Sequence, residues 1–299
     1  MQVSIAPNHH GKSWLRLGLV LLLLGGPSAC SQPPACKAGQ SATPNPALPK
    51  GDAGFLPYAH SHNDYEQPHP LETALEQRFY SVEADVYYSS GEITVSHYPW
   101  GSKGTLKELY LDPLQARVDA KGSVHGDGLP FTLWIDLKEG DTRLVDTLHG
   151  LLESYSMFTS FSWNSSIPGP VTVVLTGDAD GKNDLVTTFS PRNATRDSND
   201  YSPDDPPATP AWQYYALSWS DYLDSSTGSL SKDDEARLAC IMENAHANGR
   251  QVRFFSAPDN EEYWRTALDF GIDFINTDNP SGLRDFLTKA LSAGSEKSP

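Results

Sequence analysis

From Phe55 onwards the chain alternates short apolar runs with stretches of helical or turn character. The runs 55–60, 81–87, 93–97, 131–137, 171–175, 185–189, 213–218, 251–256 and 273–277 are rich in Val, Ile, Tyr and Phe, which suit a pleated, half-buried backbone. Residues 71–78 and 233–248 carry helical character, and the second stretch is closed by Gly249, a residue that tolerates the left-handed conformation of a helix end. Strand-then-helix alternation over this length predicts parallel strands joined by right-handed crossovers. The fold class expected is α/β, a (β/α)8 TIM barrel with some helices missing. Residues 176–211 are acidic, rich in proline and poor in large apolar groups, so they read as a long surface loop around the run 185–189.

Ahead of this domain lies a different kind of sequence. Lys12 and Arg16 precede the apolar run 17–24, and small residues then lead to Cys30, the layout of a secretion signal. The run is too short to span a bilayer as a mature helix. Cys30 after Ser28-Ala29 suggests lipoprotein processing, although Pro27 stands where that signal prefers an aliphatic residue. The expected organisation is therefore a signal at 1–29, a flexible tether at 30–54, a barrel at 55–292 and a tail at 293–299. The expected location is outside the cytoplasm, as a bacterial cell-envelope lipoprotein or a secreted protein, touching membrane only through a lipid anchor at Cys30. Three cysteines are too few for a disulfide framework, and both a Cys36–Cys240 pair and a buried free Cys240 stay open.

The candidate chemistry sits on the apolar runs. Glu83 and Asp85 are two apart on one strand and face the same way. Val82, Ala84 and Val86 alternate with them, so in a barrel whose outer face is apolar the two acids point inward. Unpaired charge there is expensive, and a divalent cation with oxygen ligands, Mg²⁺ or Ca²⁺, answers it. Asp136, ending the run Phe131–Leu137, supplies a third oxygen ligand, and Lys138 a fixed positive charge beside it. His60, His62 and His97 flank this set with a pKa range suited to proton transfer. Three carboxylates, histidines and a lysine suit chemistry on a phosphodiester. A net charge of −16 argues against nucleic acid and against anionic lipid surfaces. It still permits a local positive pocket if Lys138 and Arg253 both face the barrel mouth to bind phosphate or substrate; a plain surface arginine is the alternative for Arg253.

The order His, Glu-x-Asp, His and a later Asp-x-Lys resembles the glycerophosphodiester phosphodiesterase and phosphatidylinositol-specific phospholipase C superfamily. Pro70-Leu71-Glu72-Thr73 echoes a segment of the diesterases, and 271–280 resembles their last strand. The His62-Asn63-Asp64-Tyr65 wording is similar to a branch that includes fungal altered inheritance of mitochondria proteins and bacterial lipoproteins. In one respect the chain departs: His60 and His62 are followed by Ser61 and Asn63, where the diesterases carry the arginine that helps hold phosphate. Residues 59–67 are instead similar to the spider sphingomyelinase D toxins of the same superfamily, which use one Mg²⁺. That resemblance implies His60 and His97 as catalytic histidines and Glu83, Asp85 and Asp136 as metal ligands. Spacing measured back from Pro70 favours His62, whereas the strand end favours His60.

The leading expectation is a metal-dependent phosphoric diester hydrolase or lyase acting on a phosphodiester, a phospholipid or its head group. With the arginine absent, Lys138 and the metal hold the phosphoryl group, which leans towards attack by a substrate hydroxyl and a cyclic product. Two other classes are open. His60-Ser61-His62 closing a first strand also suits a zinc amidohydrolase, and a silent, surface-anchored binding protein would predict an incomplete site. Sequence alone leaves the oligomeric state open.

Overall fold

The computed structural model describes residue 56 and residues 58–295, with side chains as far as 291, all within the unit Pro34–Pro299. The expected signal, Cys30 and the tether lie outside the described residues. Cys240 is disulfide-bonded, so it is not a free thiol; its partner is also outside the described residues. No described helix is long and apolar enough to cross a membrane.

Eight strands run parallel: β1 Ala59–Ser61, β2 Ser81–Ser89, β3 Phe131–Leu137, β4 Val171–Gly177, β5 Ala194–Ser198, β6 Trp212–Ser218, β7 Gln251–Phe255 and β8 Ile275–Thr277. Each pairs with the next in chain order from β1 to β7, and β8 pairs with β1. A parallel bridge between Arg253 and Phe274 joins β7 to the start of β8 and closes the ring. The architecture is a (β/α)8 TIM barrel. Its helices are α1 Glu72–Glu76, α2 Asp112–Lys121, α3 Thr142–Glu153, α4 Ala179–Thr188, α5 Trp219–Tyr222, α6 Lys232–Ala247, α7 Glu261–Asp269 and α8 Pro280–Ser295. None of them lies between β5 and β6. There, on the outer face, Arg250 lies 3.7 Å over the ring of Trp212 and Arg196 lies 5.1 Å from it, so stacked guanidinium groups cover a strand pair that lacks a helix.

Three expectations are corrected by this topology. The run 185–189 is the end of α4, whose Leu185 and Val186 are buried; a short apolar run is as easily one turn of an amphipathic helix as a strand. The region expected as a loop holds both α4 and β5. The run 93–97 is not a barrel strand, because Glu92–Val95 turns back antiparallel onto β2.

Most of the core lies between strands and helices, and a smaller cluster of Trp134, Val174, Tyr214, Ala216 and Phe274 fills the barrel itself. Above this plug, towards the C-terminal strand ends, the interior turns ionic. Glu83, Asp85, Asp136 and Asp197 meet Arg253, Lys138 and Lys182 there, with Asp85 and Asp136 sharing Lys138. Lys182 reaches in from α4 to bond Asp197 at 2.6 Å.

Candidate active site at the strand ends

Glu83, Asp85 and Asp136 each present an oxygen within 4.8 Å of the others, an arrangement able to hold a metal ion. Registry explains the gathering, since Asp85 on β2 is level with Asp136 on β3. Asp85 is the hub. Its Oδ2 accepts from Lys138 Nζ at 2.7 Å, from Tyr65 Oη at 2.8 Å and from His97 Nδ1 at 3.2 Å. Its Oδ1 is buried and has no hydrogen-bond partner. A buried, unpartnered carboxylate oxygen is costly, and beside two further carboxylates it fits a hard cation. Burial pushes Asp136 up to about 6, with the charges of Glu83 and Asp85 adding to it and Lys138 opposing. Burial alone would lower Lys138, but Asp136 and Asp85 outweigh it and hold the ammonium charged.

Glu83 is differently engaged. Arg253 grips it with Nη2 at 2.6 Å from Oε1 and Nη1 at 2.9 Å from Oε2, and the guanidinium lies 4.3 Å over the Trp134 ring. Burial would raise Glu83, yet the charge and hydrogen bonds of Arg253, with His60 beside it, keep it well below the usual carboxylate range. Arg253 is therefore buried beneath the mouth in an ion pair, neither a surface arginine nor free to meet substrate.

The three histidines separate by depth. His60 is fully buried. Its Nε2 accepts from Arg253 at 2.9 Å, and because an arginine only donates, the ring proton is on Nδ1 and goes to Ser81 Oγ at 2.7 Å. Burial, helped by the charge of Arg253, pushes its pKa down to about 4. Both edges of this neutral ring are taken. His62, one strand step higher, has 28 % of its side chain exposed. Its Nδ1 bonds Asp278 Oδ1 at 2.9 Å, leaving Nε2 turned to Glu83 at 3.8 Å. Burial would lower its pKa, but the Asp278 bond and the Glu83 charge outweigh that and raise it. His97 has 45 % of its side chain exposed and reaches Asp85 because the returning strand brings Ser96 N onto the Asp85 carbonyl at 3.1 Å.

Local folding fixes these positions. After β1 the chain turns through Asn63, with φ of 44°. Asp64 then ties the turn together, accepting from Ser61 Oγ at 2.8 Å, Leu71 N at 2.5 Å and Tyr110 Oη at 2.9 Å. At β8, Asp259 accepts from Thr277 Oγ1 at 2.7 Å and Asp278 N at 2.9 Å, which sets Asp278 beside His62. At the end of β4, Gly177 has φ of +82°, and a Cβ there would press on Asp136 Oδ1 and sit 2.5 Å from the Leu137 carbonyl. Gly177→Ala is expected to lower the melting temperature, since the left-handed backbone alone costs roughly 1–2 kcal/mol. It should also shrink the stabilisation given by Mg²⁺ or Ca²⁺, read as a smaller shift in melting temperature. Melting curves unchanged with and without cation would show that Asp136 tolerates the intrusion.

Asp278, legible as an acid at a C-terminal strand end, lies at the site as its position implies. Tyr65 and Gly177 belong to the site without having been singled out for it; Tyr65 carried a signal as a member of the His-Asn-Asp-Tyr wording, and Gly177 carried none. His60 and His62 both turn Nε2 towards Glu83 Oε2, at 3.6 and 3.8 Å, but His60 Nε2 is taken by Arg253, and among the described residues the group able to hold a metal is made of carboxylates alone. That donor set does not suit the zinc amidohydrolase alternative.

A closed parallel barrel with these groups at its C-terminal mouth is similar to the glycerophosphodiester phosphodiesterase and phosphatidylinositol-specific phospholipase C-like superfamily. More narrowly, residues 55–197 match the AIM6-like phosphodiesterase domain, which supports a phosphodiesterase-like function. The altered inheritance of mitochondria protein 6 homolog of Arthroderma benhamiae is 26 % identical over 275 residues, 78 % of this chain and 85 % of that one. Altered inheritance of mitochondria protein 6 of Eremothecium gossypii is 25 % identical over 290 residues, 84 % of this chain and 74 % of that one. A glycerophosphodiester phosphodiesterase from Parabacteroides distasonis shares the fold with a TM-score of 0.51 and 13 % identity, covering 80 % of this chain and 98 % of that one. The curated relatives are fungal mitochondrial-inheritance proteins, not bacterial envelope lipoproteins, and they overturn the expected cell-envelope location. That expectation rested on the hydropathy of residues 1–30, a pattern that does not distinguish one membrane system from another.

Proposed function

We propose that the chain is a metal-dependent phosphoric diester hydrolase or lyase in which His62 and His97 exchange protons across the carboxylate cluster. The observation that supports it most is Asp85, with one oxygen saturated by Lys138, Tyr65 and His97 and the other buried and unpartnered. Glu83, Asp85 and Asp136 would hold a divalent cation, which when bound would neutralise charge on the phosphoryl oxygens.

The remaining steps belong to side chains. His62, its Nδ1 proton committed to Asp278, takes the proton of the attacking hydroxyl at Nε2. Lys138 stands beside the developing phosphoryl charge. His97, held through Nδ1 by Asp85, delivers a proton from Nε2 to the leaving oxygen. Attack by a hydroxyl of the substrate gives a cyclic phosphate first, and attack by water gives a monoester. His60 acts through others: it receives Arg253, and Arg253 holds Glu83.

The test is a panel of glycerophosphodiesters, inositol phospholipids and sphingomyelin assayed with Mg²⁺, Ca²⁺ or chelator, with products identified by phosphorus NMR. Cation-dependent cleavage of any member supports the reading, and turnover indifferent to chelation removes the metal from it. Asp278→Asn is expected to lower kcat by about 10–100-fold, as for loss of a group that orients an active residue. A carboxylate beside an imidazole favours its charged form, so the acidic limb of the pH–rate profile should move to lower pH in that variant. An unmoved limb with unchanged kcat would show that Asp278 does not hold His62 during turnover.

A further inference from the structure

The carboxylate cluster occupies the arc of the barrel formed by β2 and β3. The opposite arc, β5 to β8, turns polar groups inward that the reaction outlined above does not use. Asp197 on β5 is fully buried. Lys182 takes its Oδ1, while its Oδ2 is buried and has no hydrogen-bond partner. Arg253 on β7 gives Nη1 and Nη2 to Glu83 and His60, while its Nε is buried and unpartnered. Thr195 Oγ1 on β5 and both amide atoms of Asn276 on β8 are in the same condition. Strand pairing fixes the arrangement. Tyr214 on β6 is level with Asp197, and Ala216, one inward-facing position further on, is level with Arg253. The side chain standing between the two ionic residues at that level is a single methyl.

Two strand spacings, about 10 Å, separate the backbones of β5 and β7, and the two charges act on each other across them. Burial raises the pKa of Asp197, with Lys182, Thr176 and Arg253 opposing. Burial would lower that of Arg253, but Glu83, with Asp197 and Asp136 behind it, outweighs this. Leaving the donor and the acceptor both without partners is costly. The mixture of groups decides what fits between them. A cation would meet the Arg253 N–H, and an anion would meet the Asp197 oxygen. Water donates to one and accepts from the other, and buried waters take up such groups in folded proteins.

We propose that one buried water bridges Asp197 Oδ2 and Arg253 Nε over the Ala216 methyl, and that Asp197 is thereby a positioning residue for Glu83. The water donates to the carboxylate oxygen and accepts from the guanidinium. It fixes the roll of the guanidinium on the Trp134 ring, 4.3 Å away, and so the angle at which Glu83 presents its oxygens beside Asp85 and Asp136. The line runs from Lys182 on α4 through Asp197, the water and Arg253 to Glu83, and ties the helix-free side of the barrel to the cluster. The positioning role rests on the metal reading of that cluster; the water itself does not.

The experiment sets the full chain beside its Ala216→Val and Ala216→Ser variants, since Ala216 has no part in the proposed chemistry. Valine adds two carbons where the water stands, whereas serine is close to alanine in size and can bond the water. Affinity for Mg²⁺ and Ca²⁺, measured by calorimetry, should fall about tenfold in Ala216→Val, as for loss of a partner behind a metal ligand. In Ala216→Ser it should stay within about twofold of the parent. A crystal structure of the parent that resolves waters should show one within hydrogen-bond distance of both Asp197 Oδ2 and Arg253 Nε, and that of Ala216→Val should not. No water there in the parent, or a direct bond between the two side chains, overturns the proposal, and this measurement needs neither variant to fold. Equal losses in the two variants would reduce the effect to packing and overturn the positioning role, as would Ala216→Val binding cation like its parent. A parent that binds neither cation yet shows the bridging water would discard the metal reading and, with it, the positioning role, leaving the water as a structural link alone.

Discussion

Asp85→Asn is expected to lower phosphodiester turnover by about 10²–10³-fold, the loss that follows when several kcal/mol of charge stabilisation at the phosphoryl group is removed. The same substitution should abolish the rise in melting temperature caused by Mg²⁺ or Ca²⁺, which at a hundredfold excess over Kd is worth about 2.7 kcal/mol. Asp85 is chosen over its neighbours for a geometric reason. Glu83 already has both oxygens on Arg253, and Asp136 keeps Lys138. Asp85 alone of the three has a buried oxygen with no partner, so an amide in its place must either turn an N–H towards the cation or give up the bond to Lys138. If the cluster is only an ion-pair network, the outcome differs. Lys138 then keeps Asp136, melting shifts modestly, cation has no effect on either protein, and chelation leaves turnover intact. That result would end the metal assignment.

The sequence carried the barrel well and its weakest strand badly, for a physical reason. β3 and β4 bury both faces and read as nearly continuous apolar runs, while β2 alternates apolar residues with Glu83 and Asp85. β5 turns Thr195 and Asp197 into an ionic interior and Arg196 onto Trp212, and nothing in Ala-Thr-Arg-Asp-Ser looks like a strand until Lys182 and Trp212 are in place. Leu185 and Val186, by contrast, are apolar enough to mimic a strand inside a ten-residue helix.

The site divides in a similar way. Glu83 with Asp85, and Asp136 with Lys138, were legible because spacing of two on a strand fixes a shared face whatever the rest of the chain does. What spacing does not carry is depth. His60 and His62 share a face and differ by one strand step, and which of them keeps a free edge is decided by Arg253, 193 residues away in sequence from His60. The role of Arg253 was equally hidden: a guanidinium near a strand end suggests a phosphate ligand until Glu83 and the Trp134 ring are seen to enclose it. Gly177 mattered only once Asp136 had been placed against it.

The histidines then make the sharpest contrast. His97→Ala and His62→Ala are each expected to lower kcat by about 10²–10⁴-fold, as for loss of a general acid or base, with little change in folding because both side chains reach solvent. His60→Gln should do the reverse in kind. Its first effect is on stability, because the neutral ring receives Arg253 and donates to Ser81 in a dry interior. The pH dependence carries its signature. With a folded pKa of about 4 against 6.5 for the free side chain, the folded protein binds fewer protons than the unfolded chain between those values. The stability His60 contributes is therefore complete above pH 6.5 and lost as pH falls towards 4, a slope worth about 3 kcal/mol over the window. Asp64 and Asp136, raised to about 6 by burial, push the other way in both proteins, so the quantity to measure is the difference between parent and His60→Gln in denaturant melts from pH 4 to 8. That difference should narrow as pH falls. A His60→Gln protein that melts like its parent at every pH but loses turnover as fully as His62→Ala would transfer the proton chemistry to His60, and a fall of less than about tenfold in His97→Ala would take His97 out of it.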